Sequence, residues 1–363
     1  MIEKFNVDKD IRKAFTLPTT FYTDQSIFEI SKEKIFASTW QYVSDNDVVS
    51  EKSSVHPFNL LEGVLEEPLF FSKDENGTTR CLSNVCTHRG KILIENPGAS
   101  RLITCGYHGR CFELNGKMKR MPKFEGVENF PSEADHLTEV PFEEWLGMYF
   151  VSLDPKVSFS EIIEPIAKRI SWMPLDTLKF DENSSKEFEV DAHWALYCDN
   201  FLEGFHIPFV HPALNEAIDF GNYEYELFPF CNLQVGIAKE GEPCFDVPKG
   251  EADFGRKVYA YYFWLFPNLM LNFYPWGLSL NIIQPLGVNK TKVIFRSYRF
   301  ENMPFSYEEN NLEVTEFEDE EVVESVQKGV QSRFYNKGRF SPSMEKAVHH
   351  FHRLIASFLA EED

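Results

Sequence analysis

No run of about 20 predominantly apolar residues, the length a membrane-spanning helix needs, occurs anywhere in this chain of 363 residues. Residues 1–15 are charged throughout and lack an apolar core, so no secretory leader is expected. Positive charge is scarce. The 36 Lys and Arg stand against 57 Asp and Glu, a formal charge of −21. That balance argues against nucleic acid and anionic membranes as partners, and its plain meaning is solubility. Cysteine is sparse and odd in number: seven, at 81, 86, 105, 111, 198, 231 and 244. An odd count without a leader argues against a disulfide framework and suits a cytoplasmic chain. Internal repeats, low-complexity linkers and a glycine-rich dinucleotide fingerprint are also missing, so NAD(P)H is not expected to bind this chain directly.

Aromatic side chains are abundant. They make up 15% of the residues, 35 of them Phe, and hydrophobic residues reach 43%. The length gives a prior of two domains or one large one. Residues 41–155 read as short strands punctuated by turns, with Asn76-Gly77 and Asn115-Gly116 as hairpin signals. From about 160 to 363 the character changes. A helix is expected over 194–206, long strands over 258–266, 269–274, 278–284 and 291–299, and helices over 307–334 and 343–359. Residues 1–40 are expected to form a segment that packs on this larger part. The fold class is α+β: a small all-β domain and a larger one with an antiparallel sheet and C-terminal helices.

Two cysteine–histidine pairs carry the chemistry, Cys86-Thr-His88 and Cys105-Gly-Tyr-His108, with 16 residues between them. Two thiolates and two imidazoles suit a [2Fe–2S] cluster whose irons take two Cys and two His respectively. Tetrahedral zinc is the competing occupant. A glycine follows each pair, at Gly90 and Gly109, so both read as tight loops that present a Cys and a His together. Zinc-finger histidines usually lie together on one helix, an arrangement missing here. Cys81 and Cys111 flank the loops as packing residues, and Cys198, Cys231 and Cys244 are expected to be small buried residues.

The second constellation is Asn200-Phe-Leu-Glu203-Gly-Phe-His206-Ile-Pro-Phe-Val-His211. Two histidines five apart at the end of a helix can converge on one metal, with Glu203 one helical turn before His206. A mononuclear Fe(II) oxygenase needs two His and one carboxylate on one octahedral face, leaving positions open for O₂ and substrate. A packed core histidine is the ordinary alternative. An electron-transfer centre in the same chain favours the metal, because its electrons need an acceptor.

The two motifs in this order resemble those of the α subunits of Rieske non-haem iron oxygenases, and the resemblance covers nearly the whole chain. Cys-x-His and Cys-x-x-His match that family's cluster motif. Asn200, Glu203, His206 and His211 match its Asn-x-x-Asp/Glu-x-x-His-x-x-x-x-His motif. The resemblance implies a small all-β Rieske [2Fe–2S] domain and a larger helix-grip catalytic domain. It also implies an external flavin or ferredoxin-type reductase that draws electrons from NAD(P)H. Glu316-Phe-Glu318-Asp319, followed by Val-Glu-Ser-Val-Gln327, resembles the family's distal segment and implies Asp319 as the third iron ligand. The residues themselves leave Glu318, Asp319, Glu320 and Glu321 open. Two departures stand out. Gly106 and Arg110 take the places where the family often has Pro and Trp, and Glu203 stands where ring-hydroxylating dioxygenases usually have Asp. Glu there resembles the choline and carnitine monooxygenase branch.

The chain is shorter than typical dioxygenase α subunits and resembles homotrimeric enzymes without a β subunit. In such trimers the cluster of one subunit lies next to a neighbour's iron. The resemblance then implies that Glu203 bridges the neighbour's His108 and its own His206, with Asn200 as a further active-site residue. An aromatic cage for a quaternary ammonium is expected from Tyr261-Tyr262-Phe263-Trp264-Leu-Phe266 and Phe273-Tyr274-Pro-Trp276. The expected reaction is hydroxylation or N-demethylation of such a substrate. The alternatives are mono- or dihydroxylation or O-demethylation of an aromatic compound, a [2Fe–2S] electron carrier without oxygenase activity, and a zinc-stabilised binding protein.

Overall fold

The computed structural model describes residues 5–219, 221, 223–301 and 310–360, with backbone alone for 310–316. The expected helical residues 307–309 lie outside the described residues. The chain divides into two compact units, one of residues 36–156 and one of residues 1–35 and 157–363.

The smaller unit is built from short antiparallel strands. Five strands pair in the order Gly98–Ala99, Ser54–Leu60, Glu67–Lys73, Thr79–Ser83, Glu139–Val140. A second sheet comprises Ile103–Thr104, Cys111–Phe112 and Met118–Arg120, and a third Gln41–Asp45, Met148–Val151 and Phe142–Trp145. Turn chemistry sets the pairing. Asp74 accepts from the amides of Asn76 and Thr78, and Gly77 takes φ +90°, which reverses the chain between two strands. The core is Val55, Phe70, Leu82, Ile103, Phe112 and Met118, and Cys86 and Cys105 belong to it.

The larger unit centres on a seven-stranded antiparallel sheet. Its order is Leu178–Val190, Lys290–Phe300, Gly277–Gly287, Leu269–Tyr274, Val258–Leu265, Cys231–Ile237, Glu224–Leu227. The last six are consecutive in sequence, so successive hairpins build the sheet. The strand 178–190 adds beside the final hairpin. Aromatic and β-branched residues favour this state because they fill a pleated, buried surface. The C-terminal helix Lys346–Leu359 inserts Phe351 against Trp264 (centroids 5.0 Å apart) and Trp194 (5.7 Å). The N-terminal segment is tied to the same helix, where the amide of Leu17 donates to Nδ1 of His352 at 3.0 Å.

Helix Trp194–Phe201 ends earlier than the expected 206. Its last turn closes as the amide of Leu202 bonds to Cys198 O. The Glu203 carboxylate then accepts from the amides of Phe205 and His206 and starts a new turn. At Gly204 a Cβ would come within 3.1 Å of the Tyr223 ring, so this turn favours glycine. Cys198 and Cys231 are buried as expected, whereas Cys244 is exposed, because it lies in the turn-rich connection between strands 231–237 and 258–265.

The helix starts at His193, which is fully buried against Phe21 (centroids 5.0 Å apart) and Tyr22 (5.6 Å). Its Nδ1 caps the amide of Ala195 at 3.3 Å, and its own amide donates to Gln327 Oε1 at 2.8 Å. Burial holds the ring neutral and drives its pKa down to about 3. The unfolded chain titrates near the ordinary value of about 6.5, so it takes up a proton first as pH falls. Stability from this group is full at pH 7 and is lost progressively from about 6.5 towards 3. His193→Asn keeps a capping side chain and removes the titration. Between pH 6 and 4 its denaturant-unfolding free energy should fall less steeply than wild type, by up to about 1.4 kcal/mol per pH unit. Equal slopes in the two proteins would refute this origin of acid sensitivity.

Candidate active site and cluster loops

The two ligand loops of the smaller unit share one hydrogen-bond pattern. In the first, the Cys86 amide donates to Lys91 O at 2.9 Å and the Gly90 amide to Cys86 O at 2.9 Å. In the second, the Cys105 amide donates to Arg110 O at 2.8 Å and the Gly109 amide to Cys105 O at 3.0 Å. Gly90 and Gly109 both adopt left-handed backbone, φ +70° and +72°, which a side chain would strain. The result places both thiols inside and both imidazoles outside. Cys86 and Cys105 are buried, His88 is half-buried and His108 is exposed. The two rings lie 4.8 Å apart between centroids. Burial opposes the Cys105 thiolate, but the Tyr107 amide and neighbouring Cys86 outweigh it, and the group titrates below the ordinary thiol value. Two sulfurs on one side and two imidazoles on the other fit a cluster with differently ligated irons.

In the larger unit, helix 194–201 packs against the helix Asn310–Gly329. This second helix is acidic, but one face of it is engaged. Val323 is buried, Glu324 accepts from the Asp191 amide at 3.1 Å and Gln327 from that of His193. Asp319 lies on the same face, at i−4 from Val323. Its Oδ1 accepts from Asn200 Nδ2 at 2.5 Å.

His206, His211 and Asp319 converge. Each offers one ligand atom, and these atoms lie within 4.8 Å of one another. Nε2 of His211 is 2.9 Å and Nε2 of His206 3.6 Å from Asp319 Oδ1. Each ring uses its other nitrogen on a different carboxylate: His206 Nδ1 meets Glu203 Oε1 at 2.6 Å, and His211 Nδ1 meets Glu318 Oε2 at 2.8 Å. Such outer carboxylates fix ring orientation and raise ligand basicity at metal sites. Two imidazoles and one carboxylate facing one point, with the opposite side open to a cavity, fit an octahedral iron with free positions. Glu318, one of the open alternatives for the ligand, is thereby occupied with the far side of His211. That supporting place is one the sequence reading did not foresee.

The cavity beside these three residues measures about 100 Å³. One water needs roughly 10–15 Å³ on that scale, so there is room for a small solute. Its aromatic lining is Tyr197, Phe201, Tyr223, Tyr262 and Tyr274. The expected cage is only partly met. Strand alternation turns Tyr262 and Tyr274 to the cavity, and Tyr261, Phe263 and Phe273 to the opposite face of the sheet. Trp276 is not in the lining but stacks on Tyr274, centroids 4.7 Å apart and planes 7° apart. Tyr197, Phe201 and Tyr223 were not anticipated as lining residues. The polar lining includes Asn200, Gln234, Asn272 and Asn281. Gln234, Tyr262 and Asn272 form one cross-strand row by register.

Comparison with known proteins agrees with this geometry. The profile of the Rieske [2Fe–2S] domain matches residues 39–131, and that of the ring hydroxylating alpha subunit (catalytic domain) matches residues 175–361. The chain is 32% identical over 364 residues to the carnitine monooxygenase oxygenase subunit of Escherichia coli strain K12, covering 95% of this chain and 94% of that one. It is 28% identical to the chloroplastic choline monooxygenase of Arabidopsis thaliana, covering 98% and 85%. Among solved structures, a quaternary ammonium Rieske monooxygenase superposes with a TM-score of 0.80 at 24% identity, covering 99% of this chain and 100% of that one. Naphthalene 1,2-dioxygenase with bound indole has the same fold, with a TM-score of 0.73 at 17% identity and coverage of 99% and 95%. A [2Fe–2S] cluster, a mononuclear iron and electrons from a separate reductase belong to this family. The chain is therefore a member of the Rieske non-haem iron oxygenases, an oxidoreductase of the ring-hydroxylating α-subunit type.

Proposed function

We propose that this chain is the terminal oxygenase of a system that hydroxylates or N-demethylates a small quaternary-ammonium compound. One observation carries the reading: five aromatic rings and the carboxylates of Glu203 and Asp319 line the cavity, and no described lining residue is Lys or Arg. Ring faces and carboxylates attract a cation, and a methylated ammonium suits rings better than a hydrogen-bonding site. The names of the carnitine and choline monooxygenase relatives agree with it.

In this proposal His206, His211 and Asp319 hold the iron, and Cys86, His88, Cys105 and His108 hold the cluster. When bound, the iron activates O₂ with electrons that the cluster relays from a flavin or ferredoxin-type reductase using NAD(P)H. The protein's own contribution is positional. Glu203 and Glu318 accept from Nδ1–H of the two histidines and so present Nε2 as the lone-pair nitrogen. Asn200 donates to Asp319 and holds its carboxylate in place. The rings keep the ammonium beside the metal face and exclude water.

The test is O₂ uptake with a generic reductase. A trimethylammonium compound should turn over, and its neutral tert-butyl isostere should lose roughly thirtyfold in kcat/KM, the value of about 2 kcal/mol for a desolvated cation–π contact. Equal rates for the two would remove the cation reading in favour of an aromatic substrate. No uptake with any candidate would favour the electron carrier.

The working assembly is proposed to be a cytoplasmic homotrimer in which Glu203 links the exposed His108 of a neighbouring copy to its own His206. The 2.6 Å contact of Glu203 with His206 Nδ1 and the exposure of His108 support it. With iron supplied in excess to offset any weaker binding, Glu203→Gln should keep both metals and the trimer but slow oxidation of a pre-reduced cluster in a single turnover by at least tenfold, the lower range for losing a group that orients a metal ligand, about 10–100-fold. Unchanged cluster oxidation, or a fully active monomer, would remove the bridge.

A further inference from the structure

The second cluster loop carries a buried charged residue close to two aromatic rings. Arg110 follows His108 by two residues and is 2% exposed. Its guanidinium lies between the rings of Phe112 and Phe130, 5.8 and 5.6 Å from their centroids. A buried cation there needs a partner, because desolvating a lone guanidinium is costly. The partner is Asp135, distant in sequence: Arg110 Nη2 donates to Asp135 Oδ1 at 2.6 Å and to the Asp135 carbonyl at 3.2 Å. The same carbonyl accepts from Thr87 Oγ1 at 2.9 Å. Thr87 stands between Cys86 and His88 in the first loop. The second oxygen of Asp135 accepts from Ser132 N at 2.7 Å and Ser132 Oγ at 2.9 Å, which fixes the residue. One peptide carbonyl therefore holds both ligand loops.

We propose that Arg110 and Asp135 form a clasp that locks the two cluster loops together and sets the cluster's reduction potential through a balanced pair of charges. Two functions follow, and they separate by chemistry. The hydrogen bonds from Thr87 and Arg110 to one carbonyl resist the loops parting, which slows cluster loss. The charges act on the electron: a positive charge beside the cluster favours the reduced state, and a negative one opposes it. With both present, the two effects offset each other. Removing Asp135 leaves a buried guanidinium uncompensated, and removing Arg110 leaves a half-buried carboxylate uncompensated.

The proposal is tested on the cluster-loaded full-length protein by redox titration of the visible spectrum and by the rate of colour loss to a chelator. Arg110→Met, nearly isosteric and neutral, should lower the midpoint potential. Asp135→Asn, which keeps the peptide carbonyl and a capping side chain, should raise it. Thr87→Val changes no charge, so it should leave the potential in place and speed cluster loss severalfold. Shifts of opposite sign from two substitutions at one contact do not arise from simple loosening, which moves both the same way. Same-sign shifts, or no shift in Asp135→Asn, overturn the charge balance. Cluster loss in Thr87→Val at the wild-type rate overturns the clasp. Should Arg110→Met fail to load a cluster, Arg110→Lys, which keeps the charge, and Asp135→Asn still decide the sign.

Discussion

Oxygenation should fall to background in His206→Ala, His211→Ala and Asp319→Ala, while the visible and EPR spectra of the [2Fe–2S] cluster stay as in wild type. The loss is expected to be large because each change removes one of the three proposed iron ligands, whose ligand atoms lie within 4.8 Å of one another. Two remaining ligands do not hold iron against solvent and chelators in the way a facial set of three does. The cluster should be spared because its four proposed ligands, Cys86, His88, Cys105 and His108, belong to the other compact unit. Glu318→Gln discriminates between supporting and ligating carboxylates. Glu318 meets His211 on Nδ1, the side away from Asp319, so its loss should weaken iron about 10–100-fold and not abolish binding. Iron content and substrate-dependent O₂ uptake are the measurements. Full iron and activity in Asp319→Ala, with both lost in Glu318→Ala, would transfer the ligand to Glu318 and refute the assignment.

The converse result is expected at the other centre. His108→Ala should bleach or alter the cluster spectrum and stop catalysis with reductase, yet leave the mononuclear site able to take up iron. His108→Cys should load a cluster with a lower potential, because an imidazole ligand raises the potential of such centres relative to thiolate. His108 is exposed at the tip of its loop, so substitution there should leave the buried core of Cys86, Cys105, Phe70 and Phe112 intact. A colourless protein with zinc and no acid-labile sulfide would end this reading of the four ligands.

What could be read from the residues alone followed how local each feature is. The cluster loops are legible because each needs only a Cys, a His and a glycine with positive φ within a few residues. The sheet is legible because the strands around Tyr262, Asn272 and Ile282 are long aromatic and branched runs cut by Pro and Asn. The site on the acidic helix is less so. Four consecutive acids, Glu318 to Glu321, differ only in helical phase, and the phase is fixed by what the helix packs against, here Asn200 and His211. Helix 194–201 was expected to run on to His206, because nothing local shows that the Glu203 side chain would accept from the amides of Phe205 and His206. Asp135 lies 25 residues after Arg110, and no spacing rule connects an acid in a loop to a cation two residues past a ligand. The cage was half right for a related reason: composition names the aromatic residues, but only the register decides which of two adjacent tyrosines, Tyr261 or Tyr262, faces the cavity.

That register has a consequence for how such an enzyme can diversify. Positions 234, 262, 272, 274 and 281 meet the cavity beside His206, His211 and Asp319, while their sequence neighbours 261, 263 and 273 fill the other side of the same sheet. Tyr261, for instance, spends its hydroxyl on Asp253, an acid also held by Arg169 and Arg256. Drift at one set changes what is accepted, and drift at the other changes how firmly the scaffold stands. A library that randomises only the first set therefore explores new chemistry from a constant platform, and a stabilising screen confined to the second leaves selectivity where it was.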